Sequence, residues 1–427
     1  MAAVSVSPIS HVRRWTMLVI ALSATLCANV FINGVAFLIP TLSSERGLDL
    51  AEAGLIAAMP SLGMVVTLIA WGYVVDRVGE RIVLALGSAL TAAAAFAAAS
   101  AESLVAVSAF LFLGGMAAAS SNTASGRLVV GWFAAEQRGL VMGIRQTAQP
   151  LGVGLGALVI PRVAEHHGVS AALLFPAIVC LVSALICAVA VIDPPRLPRA
   201  EAAEADLANP YRNSRLLFRI HLASVLLVVP QVLVWTFTLV WLISEHGWSP
   251  GSAGVLVALS QILGAGGRIA AGRWSDSILK RSVDVPQQDA PQQDVRQRSG
   301  DVLGARLRPI RTIALAAAVS MALLALSDWL DSPLSIALMM VASVVTVSDN
   351  GLAFTAIAEI AGPFWSGRAL GTQNTSQLFT AGIVPPLFGG LIGIVGFPVT
   401  FAVCALFPLM AIPAVPLANP SRLGRHW

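Results

Sequence analysis

The sequence predicts an all-α integral membrane protein: twelve transmembrane helices in two parallel six-helix bundles, with both termini in the cytoplasm. Three observations carry this expectation. First, 57% of the 427 residues are hydrophobic and only 11% are charged, where soluble domains carry about 25%. Second, mean hydropathy is +0.81, which suits a bilayer rather than water. Third, the two halves of the chain repeat one another at a fixed offset. The net charge of +4 comes without a clustered basic arm, which excludes a nucleic-acid partner. Cys27, Cys180, Cys187 and Cys404 lie in apolar runs without a CxxC pair. They read as buried thiols, with no metal site.

The spans follow in order, each near the ~20 residues that cross ~30 Å of hydrocarbon. They cover roughly 15–40, 51–75, 82–100, 103–132, 139–163, 170–192, 218–243, 251–274, 310–330, 334–358, 368–395 and 397–418. The first span follows Arg13 and Arg14 and is too long for the apolar core of a signal peptide, so it is expected to stay as a helix. With the N-terminus inside, only Arg46 and Arg162 of the 26 basic residues fall on the outer side, which sets the orientation. Trp15, Trp71, Trp132, Trp248, Trp274 and Trp329 fall at span ends, where indole prefers the interface. Residues 1–192 should form the first bundle, 193–217 a Pro-rich charged linker, and 218–427 the second bundle. Within the second, residues 277–309 carry VPQQD followed by APQQD and are expected to be a disordered cytoplasmic insert.

The repeat is explicit. Glu45-Arg-Gly-Leu matches Glu245-His-Gly-Trp at an offset of 200, as do Gly72 with Gly272 and Asp76 with Asp276. After the insert the offset becomes 228, where Gly143 through Gln149 matches Gly371 through Gln377. The 28-residue jump equals the excess length of the insert. A duplicated six-helix unit in parallel orientation is a transporter architecture, with binding near the bilayer midplane.

The loop after span two reads Gly72-Tyr-Val-Val-Asp76-Arg77-Val-Gly79-Glu-Arg81. It resembles the G-x-x-x-D-R-x-G-x-R signature of the major facilitator superfamily, and the resemblance extends over the whole chain. It implies that Gly72, Asp76, Arg77, Gly79 and Arg81 form a gating loop that latches cytoplasmic helix ends. The echo in the second half, Gly272-Arg-Trp-Ser-Asp276, lacks the following Arg-x-Gly. The family's antiporter motif is half present, since Gly152 and Gly156 fit but Ala157 stands where proline is expected. The phrase from Arg138 through Gly156 resembles carriers grouped with cyanate and small organic-anion permeases.

Polar side chains inside spans must face protein or a water-filled cavity, because hydrocarbon offers no hydrogen-bond partner. Asn29, Asn33, Asn122, Arg145, Gln149, Gln231, Gln261, Asn350, Gln373 and Gln377 are such residues, with Trp235 the one tryptophan well inside a span. They are expected to line a substrate cavity, the bland alternative being interhelical hydrogen bonding. Asp349 is the only acid deep in a span, at ~15 Å. It is the candidate proton-coupling group, while Arg145 and Arg268 either face the cavity or snorkel.

The expected function is secondary active transport of a small polar or anionic solute across the inner membrane by alternating access, proton-coupled, by a monomer without cofactor. The alternatives are efflux of amphipathic drugs and, in another class, a substrate sensor on a carrier scaffold. An enzyme is disfavoured, since no HExxH, GxSxG or GxxxxGK[ST] pattern occurs.

Overall fold

The computed structural model describes residues 10–39, 41–42, 47–48, 50–195, 201–202, 204–213, 215–283 and 294–416. Those residues are helical with short connections, and none of them is in a strand. The helices are α1 His11–Gly34, α2 Leu50–Val78, α3 Glu80–Ser100 and α4 Leu104–Trp132. Next come α5 Ala135–Arg145, α6 Ala148–Ala190, α7 Leu216–Ser244 and α8 Pro250–Val283. The chain continues with α9 Asp294–Trp329, α10 Leu334–Val345, α11 Asn350–Ala361 and α12 Ser366–Ala414. Among the described residues, ten stretches are long and apolar enough to cross a membrane.

Two of the ten are too long for one crossing. The stretch Ala135–Ala190 has 56 residues and Ser366–Ala414 has 49, against about 20 per crossing. Each contains one non-helical residue: Gly168 at φ 79° in α6 and Gly396 at φ 78° in α12. That positive-φ region is open to glycine at little cost, so each glycine kinks the chain inside its stretch. The two are repeat mates at the offset of 228.

Large apolar side chains point outward along these helices, including Val105 (81% exposed), Val189 (82%) and Ile394 (83%). In water such surface would drive aggregation; facing lipid tails it is the low-energy arrangement.

The insert differs from the sequence expectation. Residues 277–283 continue α8 and residues 294–309 begin α9, so these flanks are helical rather than disordered. Polar side chains that propagate a helix extend both apolar helices, and on α9 the extension is anchored. Leu303, Ala305, Arg306 and Leu307 are each buried. The run from Val285 through Gln293 lies outside the described residues. In the linker, Glu204–Leu207 and Pro210–Asn213 each form a single helical turn.

Contacts divide the chain into two compact units whose borders cut across the halves of the repeat. The first contains residues 1–133, 147–207 and 361–375; the second contains 134–146, 208–360 and 376–427. Inside the second unit the core gathers Leu233, Trp241, Leu242, Met321, Met339 and Phe401, drawn from α7, α9, α10 and α12.

Candidate functional site

The second unit holds a broken helix. Span ten is two helices, α10 and α11, separated by a turn at Thr346-Val347-Ser348-Asp349. Local chemistry explains the break. Thr346 Oγ1 donates to the Ala342 carbonyl and Ser348 Oγ to that of Val344, at 2.7 Å each. Such back-bonding competes with the helix ladder. The turn places Asp349 at the head of α11, where its carbonyl accepts from the Ala353 N–H at 3.0 Å and the helix dipole favours a negative charge.

Asp349 is 1% exposed, and its Oδ2 is buried without a hydrogen-bond partner. It lines an apolar cavity with Ile220, Ser224, Leu227, Leu307 and Val415. Its electrostatic partner is Arg268 of α8, 3% exposed, which lies beyond ion-pair contact distance. Arg268 Nη1 donates to the Gln146 carbonyl at 3.0 Å, at the C-terminal end of α5, where a cation is favoured. Its Nε is buried with no hydrogen-bond partner. A chain of amides runs beside the pair. Gln377 Nε2 donates to Ser224 Oγ (2.9 Å) and to Asn350 Oδ1 (3.1 Å), and Asn350 Nδ2 donates to Gln231 Oε1 (3.0 Å).

Gln231 opens onto a pocket walled by α7, α8 and α10. Trp235, Gln261 and Arg268 share its lining with Thr238, Ser260 and Thr346. Arg145 does not snorkel: it is 2% exposed, donates from Nη1 to Gln146 Oε1 at 3.1 Å, and lies 5.8 Å from the Phe354 ring centroid. The remaining expected cavity residues belong to the first unit. Asn33 Nδ2 donates to Asn29 Oδ1 at 3.3 Å along α1, and Asn122 Nδ2 lies 3.5 Å from Met64 Sδ. Gln149 is half-buried and Gln373 fully buried.

Two further clusters of buried charge mark the loops after spans two and eight. In the first unit Asp76 accepts from the backbone N–H groups of Gly367 (2.9 Å) and Arg368 (3.1 Å). In the second, Asp276 accepts from those of Gly139 (3.0 Å) and Leu140 (2.7 Å). Asp76 and Asp276 are repeat mates, as are Gly367 and Gly139. Glycine is required at the contact: a Cβ on Gly72 would strike the Gly367 backbone, and one on Gly272 would strike Gly139.

The counter-charges differ between the clusters. Asp76 pairs with Arg127 and Arg368, both at 3.0 Å, while Arg127 also reaches Glu80 at 3.2 Å. At the other site Arg306 pairs with Asp276 (2.6 Å) and Glu359 (3.2 Å) and donates to the Ala135 carbonyl, while Arg138 reaches Glu359 at 3.4 Å. Arg127 and Arg306 escaped the sequence reading, which counted them only as topology charges. The signal for Arg127 was the pair of acids Asp76 and Glu80, which flank the break between α2 and α3. Of the signature arginines, Arg77 lies 4.2 Å from the Tyr73 ring centroid, and Arg81 donates from Nε to the Ala188 carbonyl at 2.7 Å. Gly79, at φ 103°, caps α3.

Comparison with known proteins agrees with this architecture. Residues 20–377 match the Major Facilitator Superfamily. An uncharacterized MFS-type transporter of Mycobacterium tuberculosis strain H37Rv is 54% identical over 404 residues, 95% of this chain and 85% of the relative. The hexuronate transporter of Bacillus subtilis strain 168 is 24% identical over 253 residues, 57% of this chain and 60% of the relative. Among solved structures, the transporter FucP in the outward conformation superposes with a TM-score of 0.68 at 17% identity, covering 93% of this chain and 98% of FucP. The chain is a multi-pass membrane transporter that belongs to the major facilitator superfamily.

Proposed function

We propose that the protein is a secondary carrier of a small polar or anionic solute, coupled to protons through Asp349. The observation that carries the reading is the break in span ten. It sets a buried carboxylate, one oxygen unpartnered, at a helix head within electrostatic range of a buried guanidinium. An uncompensated charge in the middle of a membrane protein costs several kcal/mol and persists where function uses it. Bound to a proton, Asp349 loses that cost; released, it faces Arg268. The hexuronate transporter, by its name a carrier of an anion, supports the anionic class.

Each over-long stretch, kinked at Gly168 or Gly396, turns back there and counts as two crossings. The chain then makes twelve, with both termini cytoplasmic and the protein a monomer of the inner membrane. The halves 1–192 and 218–427 alternate access to the site. The Asp76 and Asp276 clusters act as cytoplasmic latches, since each acid grips the backbone of a helix from the opposite half of the repeat.

The test uses the purified protein in liposomes with labelled D-glucuronate and an imposed pH gradient. The parent should accumulate the label against its gradient, and Asp349→Asn should only equilibrate it. Accumulation by Asp349→Asn equal to the parent removes the coupling role.

A further inference from the structure

The pocket walled by α7, α8 and α10 divides its hydrogen-bonding capacity by sign. Its hydroxyls all donate to carbonyls of their own helices. Thr238 donates to Val234 (2.6 Å), Ser260 to Val257 (2.7 Å), Ser343 to Met339 (2.8 Å) and Thr346 to Ala342 (2.7 Å). With their protons committed, these oxygens offer only lone pairs. They accept from a solute's hydroxyl groups and repel an anion. Donors come from the amide and guanidinium side chains of the lining. Gln231 has its carbonyl oxygen bonded to the Asn350 amide, which leaves its own N–H groups for the pocket. Arg268, 3% exposed, keeps a buried Nε without a partner.

Resting on the carrier reading above, we propose that this pocket binds a small hydroxylated monocarboxylate and that Arg268 is the residue that takes its carboxylate. A planar guanidinium matches a carboxylate's two oxygens, and its Nη1 bond to the Gln146 carbonyl fixes the fork in place. Among the described lining residues Arg268 is the one charged side chain, and nearby Asp349 offsets part of its field. A single negative charge is therefore matched, whereas a dianion such as a phosphate monoester keeps a surplus charge in a poorly solvated site. Trp235, Val234, Val257 and Val347 supply the apolar wall for the solute's carbon skeleton.

The experiment is thermal-shift titration of the purified full-length protein with two matched pairs of probes. D-glycerate is set against glycerol, and D-glucuronate against D-glucose, with glycerol 3-phosphate as the dianion. The acids should stabilise the parent and the uncharged partners should not. Glycerol 3-phosphate should bind at least about tenfold more weakly than glycerate, and Arg268→Gln should weaken glycerate by at least about tenfold, the scale of one charge-assisted hydrogen bond. If Arg268→Gln does not fold, Arg268→Lys decides. It keeps a charge and a donor for Gln146 but not the fork, and should bind glycerate about fivefold or more weakly.

Acids and uncharged partners binding alike would overturn the assignment. So would a folded Arg268→Gln, or else Arg268→Lys, within twofold of the parent, or glycerol 3-phosphate binding most tightly. The two proposals fail separately. Arg268-dependent binding of glycerate without passage into liposomes removes the carrier reading and leaves this site standing. Proton-coupled uptake of a neutral or cationic solute, with no acid bound, does the reverse.

Discussion

The two settings of buried charge in the second unit are opposites. Around Arg306 every charge is answered: the guanidinium reaches Asp276, Glu359, Ser275 and the Ala135 carbonyl, while Asp276 takes two backbone N–H groups besides. At the break in span ten the charges stay partly unanswered, with Asp349 Oδ2 and Arg268 Nε both buried and unpartnered. A saturated cluster has no capacity left for a ligand or a proton, so it can only hold structure in place. An unsaturated one costs stability and keeps its capacity for chemistry. The contrast separates residues that position the fold from those proposed to perform transport.

The largest effect should come from breaking the saturated cluster. Arg306→Ala strands the buried Asp276 and leaves Glu359 with only the more exposed Arg138, and should cost about 3–5 kcal/mol. Chemical denaturation of the purified protein should show it as a sharp loss of stability or of folded yield. An Arg306→Ala protein as stable as the parent would break the comparison at its strong end. Gly272→Val comes next, because its side chain would meet the Gly139 backbone. Overpacking of that kind costs about 1–3 kcal/mol, and the Gly72→Val change in the first unit should cost a similar amount, read as paired drops in Tm. A large difference between the two would show that the repeat mates do not share one packing role.

Asp349→Asn should keep the parent's stability or raise it, since it removes a buried charge without stranding a directly bonded partner. The smallest effect belongs to Arg77→Ala. It loses one exposed contact over the Tyr73 ring, worth about 0.5–1 kcal/mol, and a thermal scan should barely resolve it.

Much of this was legible in the sequence, and the exceptions have physical causes. The spans, the repeat and Asp349 follow from hydropathy, spacing and the rarity of charge in lipid. Gln231, Asn350 and Gln377 share one hydrogen-bonded chain because amides in spans must find partners. The turn at Thr346–Asp349 was not legible, since Thr-Val-Ser sits in an apolar run and its back-bonds exist only once the helix forms. Arg306 was hidden by its neighbourhood. It lies beside a polar insert that reads as disordered, yet α9 starts within that insert and buries it completely. Arg127 was masked in another way, because a basic residue near a span end satisfies the topology rule whether it faces water or an acid. Arg145 was expected to have a choice between cavity and interface; its burial against Phe354 and Gln146 is a packing outcome that spacing does not encode.

The central claim is that unanswered charge works and answered charge holds. The most direct test sets Asp349→Asn beside Asp276→Asn in one preparation, reading Tm and the accumulation of D-glucuronate in liposomes under a pH gradient. The account predicts that Asp349→Asn keeps the parent's Tm or exceeds it, still exchanges label at equal concentrations, and fails to accumulate it. Asp276→Asn should lose several degrees of Tm and keep its coupling in whatever fraction remains folded. An Asp349→Asn protein that accumulates label like the parent, or that loses as much stability as Asp276→Asn, contradicts the account.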